Sequence, residues 1–245
     1  MRHSSKALIA GVVALAVAAP AFAITGGSLD GTSHPAVGLL IADLGNGPEP
    51  DCSGSLVSPT VFVTAAHCTG NLGTGNLASS RVWVSFDSQY VAGSSPLLSG
   101  TAHSDPQWGL VKDDSHDLAV VVLDSPVAGI TPFALPKAGA LEAADTASQT
   151  FTNVGYGYAD RSFAFDGYRR WSASSLTNVK PTEVRLADKP GGVCFGDSGG
   201  PRLLGNVVVA VTSTGNKTCT GQSISYRLDT PAARSFLLSF VPVPY

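Results

Sequence analysis

The residues best suited to chemistry lie in Phe195-Gly196-Asp197-Ser198-Gly199-Gly200-Pro201. A serine flanked by glycines is held in a tight turn with its hydroxyl exposed, and backbone N–H groups can converge beside it. Acyl transfer needs both features: a nucleophile, and donors aimed at the oxyanion that forms when it attacks a carbonyl. The pattern alone is ambiguous, because Gly-Asp-Ser-Gly is also an ordinary turn.

A serine nucleophile needs a base. Gly196-x-Ser198-x-Gly200 fits the nucleophile elbow of α/β-hydrolases, which places its histidine after the serine. His3, His34, His67, His103 and His116 all precede Ser198, so that order fails. A subtilisin-type order would need Asp30, Asp43 or Asp51 as the acid ahead of His67, and all three sit in turn-like surroundings. His67 is the best base: it ends the apolar run Val61 to Ala66 and is tied down at once by Cys68. In isolation, a histidine beside a buried strand is more often a satisfied core residue. His34 precedes Pro35 in a turn and His103 sits in a polar loop, so both read as surface residues. His116 is a weaker rival within the charged knot Asp113-Asp114-Ser115-His116-Asp117. Asp117 suits the orienting acid: at the mouth of the apolar run Leu118 to Leu123 it can accept the imidazole N–H and fix its tautomer. The competing reading is a solvated turn residue, which is how Asp113 and Asp114 are taken.

These residues must be positioned by strands. The chain has 245 residues, formal net charge −3, 13% charged and 44% hydrophobic residues, 27 Gly and 16 Pro. It is long enough for a substantial core, its Ser/Thr/Val and turn content reads as β structure, and it has no basic footprint for nucleic acid. Strands are expected at Val37 to Ile41, at Cys52 to Val57 and Val61 to Ala66 (a hairpin around Ser58-Pro59-Thr60), at Arg81 to Phe86 and at Leu118 to Leu123. Further strands are expected at Thr150 to Val154, Thr182 to Leu186, Val207 to Val211 and Ile224 to Leu228. The Pro/Gly/Ala-rich stretch at about 126–140 is the linker candidate. Pro231 to Leu238, capped by Asp229 or Thr230, is the one mature helix, placing a C-terminal helix at about 231–239. Strands, linker, strands and terminal helix outline two β units meeting at a cleft.

Residues 1–23 read as a signal peptide. Arg2, His3 and Lys6 supply charge, Ala7 to Ala19 is apolar, and Ala21-Phe22-Ala23 fits a cleavage site. No later segment is long and apolar enough to span a bilayer. The expectation is a secreted protein whose four cysteines can pair in an oxidising compartment. Cleavage would leave Ile24-Thr25-Gly26-Gly27 as the mature terminus.

The motifs resemble the chymotrypsin/trypsin-like serine peptidase family. Thr64-Ala65-Ala66-His67-Cys68 is similar to its histidine motif and Asp117-Leu118-Ala119-Val120 to its aspartate motif. Gly196 to Pro201 matches its serine motif unaltered, and the order His, Asp, Ser is the family's. Weaker supports are Ser104 to Trp108 and Val154-Gly155-Tyr156-Gly157. The resemblance runs from Ile24 to about Phe240. It implies an all-β fold of two six-stranded antiparallel barrels, barrel 1 at about 24–125 and barrel 2 at about 141–230, within one peptidase domain over 24–245. It further implies His67 as base, Asp117 as its orienter, Ser198 as nucleophile and the N–H groups of Gly196 and Ser198 as oxyanion hole. The implied disulfides are Cys52–Cys68 and Cys194–Cys219, a choice that spacing alone leaves open. A freed Ile24 ammonium would pair with Asp197, and here signal cleavage alone could expose it.

By the same resemblance the pocket floor is Gly192, with Val193 beside it. Ser213, Thr214 and Gly215 form the substrate-binding strand, and Ile224 or Ser223 the opposite wall. Without a carboxylate at the floor, cleavage after small or apolar residues is expected rather than after basic ones. Asn216-Lys217-Thr218 is a glycosylation sequon whose glycan would crowd this pocket. No cofactor and no metal site is expected, since no His/Cys/Asp/Glu cluster has zinc spacing. The expected partners are polypeptide substrates and protein inhibitors, with no nucleic acid and no membrane after signal cleavage; the protein is expected to be a monomer. The rival functions are a catalytically silent homologue acting as a secreted binding module, and a secreted esterase.

Overall fold

In a computed structural model, residues 24–43, 47–69, 81–142, 148–160, 162–188 and 191–244 are described. Residues 1–23, expected from the sequence to be a signal peptide, and the whole of the Gly/Asn/Ser loop at 71–80 lie outside them. In chain order the strands are β1 (Ser28–Leu29), β2 (Val37–Asp43), β3 (Pro48–Ser58), β4 (Val61–Thr64), β5 (Arg81–Ser85), β6 (Leu98–Ser104) and β7 (Ala119–Leu123). They continue as β8 (Thr150–Gly155), β9 (Arg170–Val179), β10 (Glu183–Asp188), β11 (Pro201–Leu204), β12 (Val207–Thr214) and β13 (Gly221–Arg227), before the helix α1 (Pro231–Leu237).

Two antiparallel barrels result, as the resemblance implies. The first closes in the order β2-β3-β4-β7-β6-β5. The second runs β9-β10-β13-β12-β11-β8 and is closed by the β8–β9 pairing. β1 pairs with β9, so the amino-terminal stretch straps the second barrel before the chain enters the first. Thr230 caps α1, its side chain accepting from the N–H of Ala233, with Pro231 in the first turn.

The first barrel is filled in the usual way, by Leu40, Leu56, Phe62, Val82 and Val120, all wholly buried. Alternation along its strands predicts this. The second barrel differs. A small apolar group formed by Phe151, Val184, Leu186 and Val209 occupies part of it, and the rest is polar. Arg202 on β11 is fully buried. Its Nε donates to Ser225 Oγ at 2.8 Å, its Nη2 to Ser223 Oγ at 2.7 Å and its Nη1 to Asn153 Oδ1. Asn153 Nδ2 donates to Ser172 Oγ and Ser174 Oγ, and Ser174 Oγ donates to Asp188 at 2.7 Å. Side chains from five strands converge here, and only a barrel interior allows that.

Four strands escape a hydrophobicity reading: the two-residue β1, and β6, β9 and β11. β9 buries Arg170, Ser172 and Ser174 on its inner face. β11 has an arginine in place of an apolar residue, and β6 is largely half-exposed.

The second barrel also has a stability consequence. Removing the cation from this cluster strands Asp188 and the Asn153 carbonyl in the interior. Arg202→Met should therefore lower the unfolding free energy by about 3–5 kcal/mol, the cost of leaving a buried charge unpaired. Urea denaturation monitored by circular dichroism measures it; a loss under about 1 kcal/mol would mean the cluster is not holding the barrel.

Candidate active site

The site lies where the barrels meet. The β4 strand ends at Thr64, and a 3₁₀ turn over Ala66–Cys68 projects His67 from it. The Cys52–Cys68 disulfide anchors the turn to β3. Asp117 precedes β7, which pairs with β4 along Val61–Thr64, so sheet register brings the two residues together.

Asp117 holds the histidine twice. Its Oδ1 accepts the backbone N–H of His67 at 2.9 Å, and its Oδ2 lies 2.9 Å from His67 Nδ1. Ser213 Oγ, from the second barrel, donates to the same Oδ2. The Asp117 side chain is only 5% exposed, against 32% for the imidazole. Burial alone would raise the Asp117 pKa. The hydrogen bond and charge of His67, with the Ser213 hydroxyl, hold it below the usual carboxylate range. For His67, burial works to lower the pKa, but Asp117 and the more distant charge of Asp51 raise it above the ordinary histidine value.

Ser198 and Gly196 line one cavity of about 890 Å³ together with His67 and Cys52. Among the described residues no hydrogen bond joins His67 to Ser198. In unliganded sites such bonds are often long and tighten only with substrate. The loop itself is tightly made. The N–H groups of Asp197, Gly199 and Gly200 donate to Cys194, Thr212 and Asp197 carbonyls respectively. Those of Gly196 and Ser198 donate to no described residue, leaving two adjacent donors free beside the serine. Gly199 (φ 74°) packs so closely that a Cβ would collide with Thr64 Oγ1.

Against the family models, the one described as Trypsin matches residues 30–235. The chain belongs to the trypsin family. It is 29% identical over 198 residues to a trypsin of Saccharopolyspora erythraea, covering 74% of this chain and 82% of that one. It is 27% identical over 203 residues to trypsin alpha-4 of Lucilia cuprina, covering 77% and 76%. It is also 26% identical over 196 residues to glucanase inhibitor protein 4 of Phytophthora infestans, covering 69% and 71%.

Asp197, just before the serine of this trypsin-family chain, is fully buried. Burial pushes its carboxyl up to about 7, despite the N–H groups of Cys194 and Gly157 and the charge of Arg202. Ile24 is also wholly buried, and the following residue forms a bridge to Gly192, whose N–H donates to Thr25 O at 2.9 Å. The amino-terminal segment thus enters beside the loop that carries Asp197.

The residues assigned to the specificity pocket do not line the cavity that holds Ser198. A Cβ on Gly192 would strike Asp188, so the floor has no room for a side chain. A Cβ on Gly215 would lie 3.3 Å from Val193 O and 3.5 Å from Val193 Cγ2, so a side chain there would meet Val193. Ile224 pairs with Thr214 across β12 and β13. Cys194 and Cys219 form the second disulfide. Cys52, His67 and Cys68 cluster within metal-ligand distance, but both sulfurs are engaged in a disulfide and offer no thiolate.

Other residues of the site have roles that the sequence reading did not find. Ser53, wholly buried, donates its N–H to Ser198 O at 2.8 Å and its hydroxyl to Gly196 O at 2.8 Å, and accepts the N–H of Tyr156 at 2.9 Å. Its only signal was a polar residue in an inward-facing strand, which demands partners. His34, read as a surface residue, is half-buried and paired with Asp30, which also holds Arg169 at 2.8 Å. His116, the rival base, is buried against Asp105 at 3.0 Å and turned to a structural pairing.

Histidine titration followed by NMR should give His67 a pKa above the ordinary value of about 6.5. Asp117→Asn should bring it down, since the carboxylate charge is what outweighs burial. An unchanged titration in that variant would show that Asp117 does not govern the ring.

Proposed function

We propose that this chain is a secreted serine endopeptidase that hydrolyses peptide bonds through an acyl-enzyme. His67 takes the Ser198 proton as the hydroxyl attacks, then passes it to the leaving amine. Asp117 stays ionised throughout, fixing the tautomer and favouring the imidazolium. The free N–H groups of Gly196 and Ser198 receive the oxyanion, and water resolves the acyl-enzyme. The observation that carries this reading is the grip of Asp117 on both the backbone and ring of His67, in the cavity that Ser198 enters. The two disulfides fit an oxidising destination, and no described helix is long and apolar enough to cross a membrane.

Small or medium apolar residues are the proposed acyl-side preference. Gly192 supplies no charge, Val193 and Gly215 leave little width, and Ile224 fills the far wall. Asp188 lies just beneath Gly192, but Ser174 and Arg202, the latter at 3.8 Å, already occupy its carboxylate.

A second reading is favoured by the likeness to a glucanase inhibitor protein and by the narrow pocket: a catalytically silent binding protein. A serine-directed phosphonate separates the two. Labelling of the wild type but not of Ser198→Ala supports the peptidase, and an unlabelled wild type leaves the binding protein. In an active enzyme, Asp117→Asn should lower kcat by about 10⁴, since the wrong tautomer is then held. Parallel assays on peptide amides and simple esters distinguish peptidase from esterase.

Processing after Ala23 is proposed to supply the missing cation for Asp197. In the uncleaved chain the folded pKa of Asp197, about 7, exceeds the ordinary aspartate value of 3.8. The folded state therefore binds the extra proton, and this group's contribution to stability falls as pH rises from about 4 to about 7. Pairing with a freed Ile24 ammonium should abolish that fall, leaving the contribution flat between about pH 4 and about pH 7. Thermal unfolding of the processed and unprocessed forms across this pH range tests it; parallel profiles would refute the pairing.

A further inference from the structure

Leaving amines depart on the side of His67, the group that protonates them, so the large cavity beside His67 faces the leaving peptide. Its walls are Cys52, Tyr90, Tyr158, Phe165 and Phe195, with Glu49 and Asp51 on β3. The aromatic part is unusually open: Phe195 is 54% and Phe165 39% exposed. Phe163 stacks edge-on against both Tyr158 and Phe195, which extends the same surface.

The register of β3 explains how Asp51 reaches this space. Leu40 pairs with Cys52 and Ile41 with Pro50, so Asp51 is the extra residue of a β-bulge. Bulges re-aim a side chain out of the alternating pattern, and they recur beside active sites. Asp51 is half-buried, lines the cavity and has no hydrogen-bond or ion-pair partner among the described residues; burial raises its pKa, and the charge of His67 acts against that rise. Glu49, also facing the cavity, has none either. Asp166, the third carboxylate of the lining, is satisfied by Arg170 at 2.7 Å. Two carboxylates free of hydrogen-bonded partners, in one lining with aromatic rings, form a receptor for a cation on an alkyl stem, which attracts both by charge and by cation–π contact.

We propose that Asp51, supported by Glu49, selects substrates carrying lysine or arginine immediately after the scissile bond. This specificity lies on the leaving side, separate from the narrow acyl-side pocket. The proposal rests on the acyl-enzyme reading above.

Partitioning of the acyl-enzyme isolates this subsite. An N-acylalanine methyl ester loads Ser198 with release of methanol. The acyl group then passes either to water, giving the acid, or to an added amino-acid amide, giving a peptide bond and free Ser198. The ratio of the two products is internal to each variant and independent of its loading rate. Argininamide should capture the acyl group roughly five-fold better than norleucinamide, the gain expected of one partly buried ion pair with an aromatic neighbour. In Asp51→Asn the preference should collapse toward one, in Asp51→Lys it should invert, and in wild type it should shrink with added salt. Equal capture of both amines by wild type overturns the proposal while leaving the acyl-enzyme intact. Equal loss of both amines in Asp51→Asn also overturns it, because Asp51 would then act through His67. Failure of the wild type to form an acyl-enzyme removes this proposal together with the peptidase reading.

Discussion

Ser53 is where the first barrel takes hold of the second. Its N–H and hydroxyl bind the carbonyls of Ser198 and Gly196, its hydroxyl oxygen accepts from Tyr156, and its carbonyl accepts from Thr64 Oγ1 at 2.8 Å. The groups of Ser53, Tyr156 and Thr64 are buried, so each would cost about 1–3 kcal/mol if left without its partner. The loop that carries Ser198 is therefore fixed by β3. The same strand carries Cys52, whose disulfide fixes the turn of His67. Positions on both sides of the seam follow from one stretch of β3.

The barrels achieve rigidity differently. The first relies on close apolar packing, whereas the second sets Arg202 and Asp188 within a shell of serines and Asn153. Burial lowers the Arg202 pKa, and the charges of Asp188 and Asp197 act against that fall. A buried cation influenced by two carboxylates gives each only part of its compensation. Asp197 remains pushed up to about 7 even with Arg202 nearby. The loop before Ser198 thus retains an electrostatic demand that the folded barrel does not meet by itself, which is a physical reason for a further cation to matter there.

Much of this was legible in the residues. The His67 hairpin, the β7 run after Asp117 and the helix at Pro231 all have apolar patterning or caps strong enough to read directly. The pairings of β4 with β3 and β7 then account for the approach of His67 to Asp117. The polar strands were not legible: in β9 the buried face is arginine and serine, the inverse of the usual alternation. Asp30 and His34 looked like turn residues because their partner, Arg169, is distant in the chain and itself wholly interior. Asp51 was hidden for another reason. A bulge depends on the register of two strands, and no local pattern records that Leu40 faces Cys52 while Ile41 faces Pro50.

Ser198 sits at a seam with space on two sides, and in this chain the two differ. On the side of β12 and β13, Val193 closes toward Gly215, and Ile224 stands opposite Thr214. On the side of β3, the bulge at Asp51 and the open aromatic surface around Phe195 leave the cavity wide. Shape and charge discriminate best where a ligand is most enclosed by complementary groups. A narrow slot can reject bulk but offers few contacts, whereas the wide side offers both carboxylate and aromatic faces. Because Asp51 lies only two residues before Ser53, the strand that clamps the Ser198 loop also holds a carboxylate in the cavity beside His67. Changing the register of β3 to alter one would displace the other, so positioning and selectivity are bound together by the backbone itself.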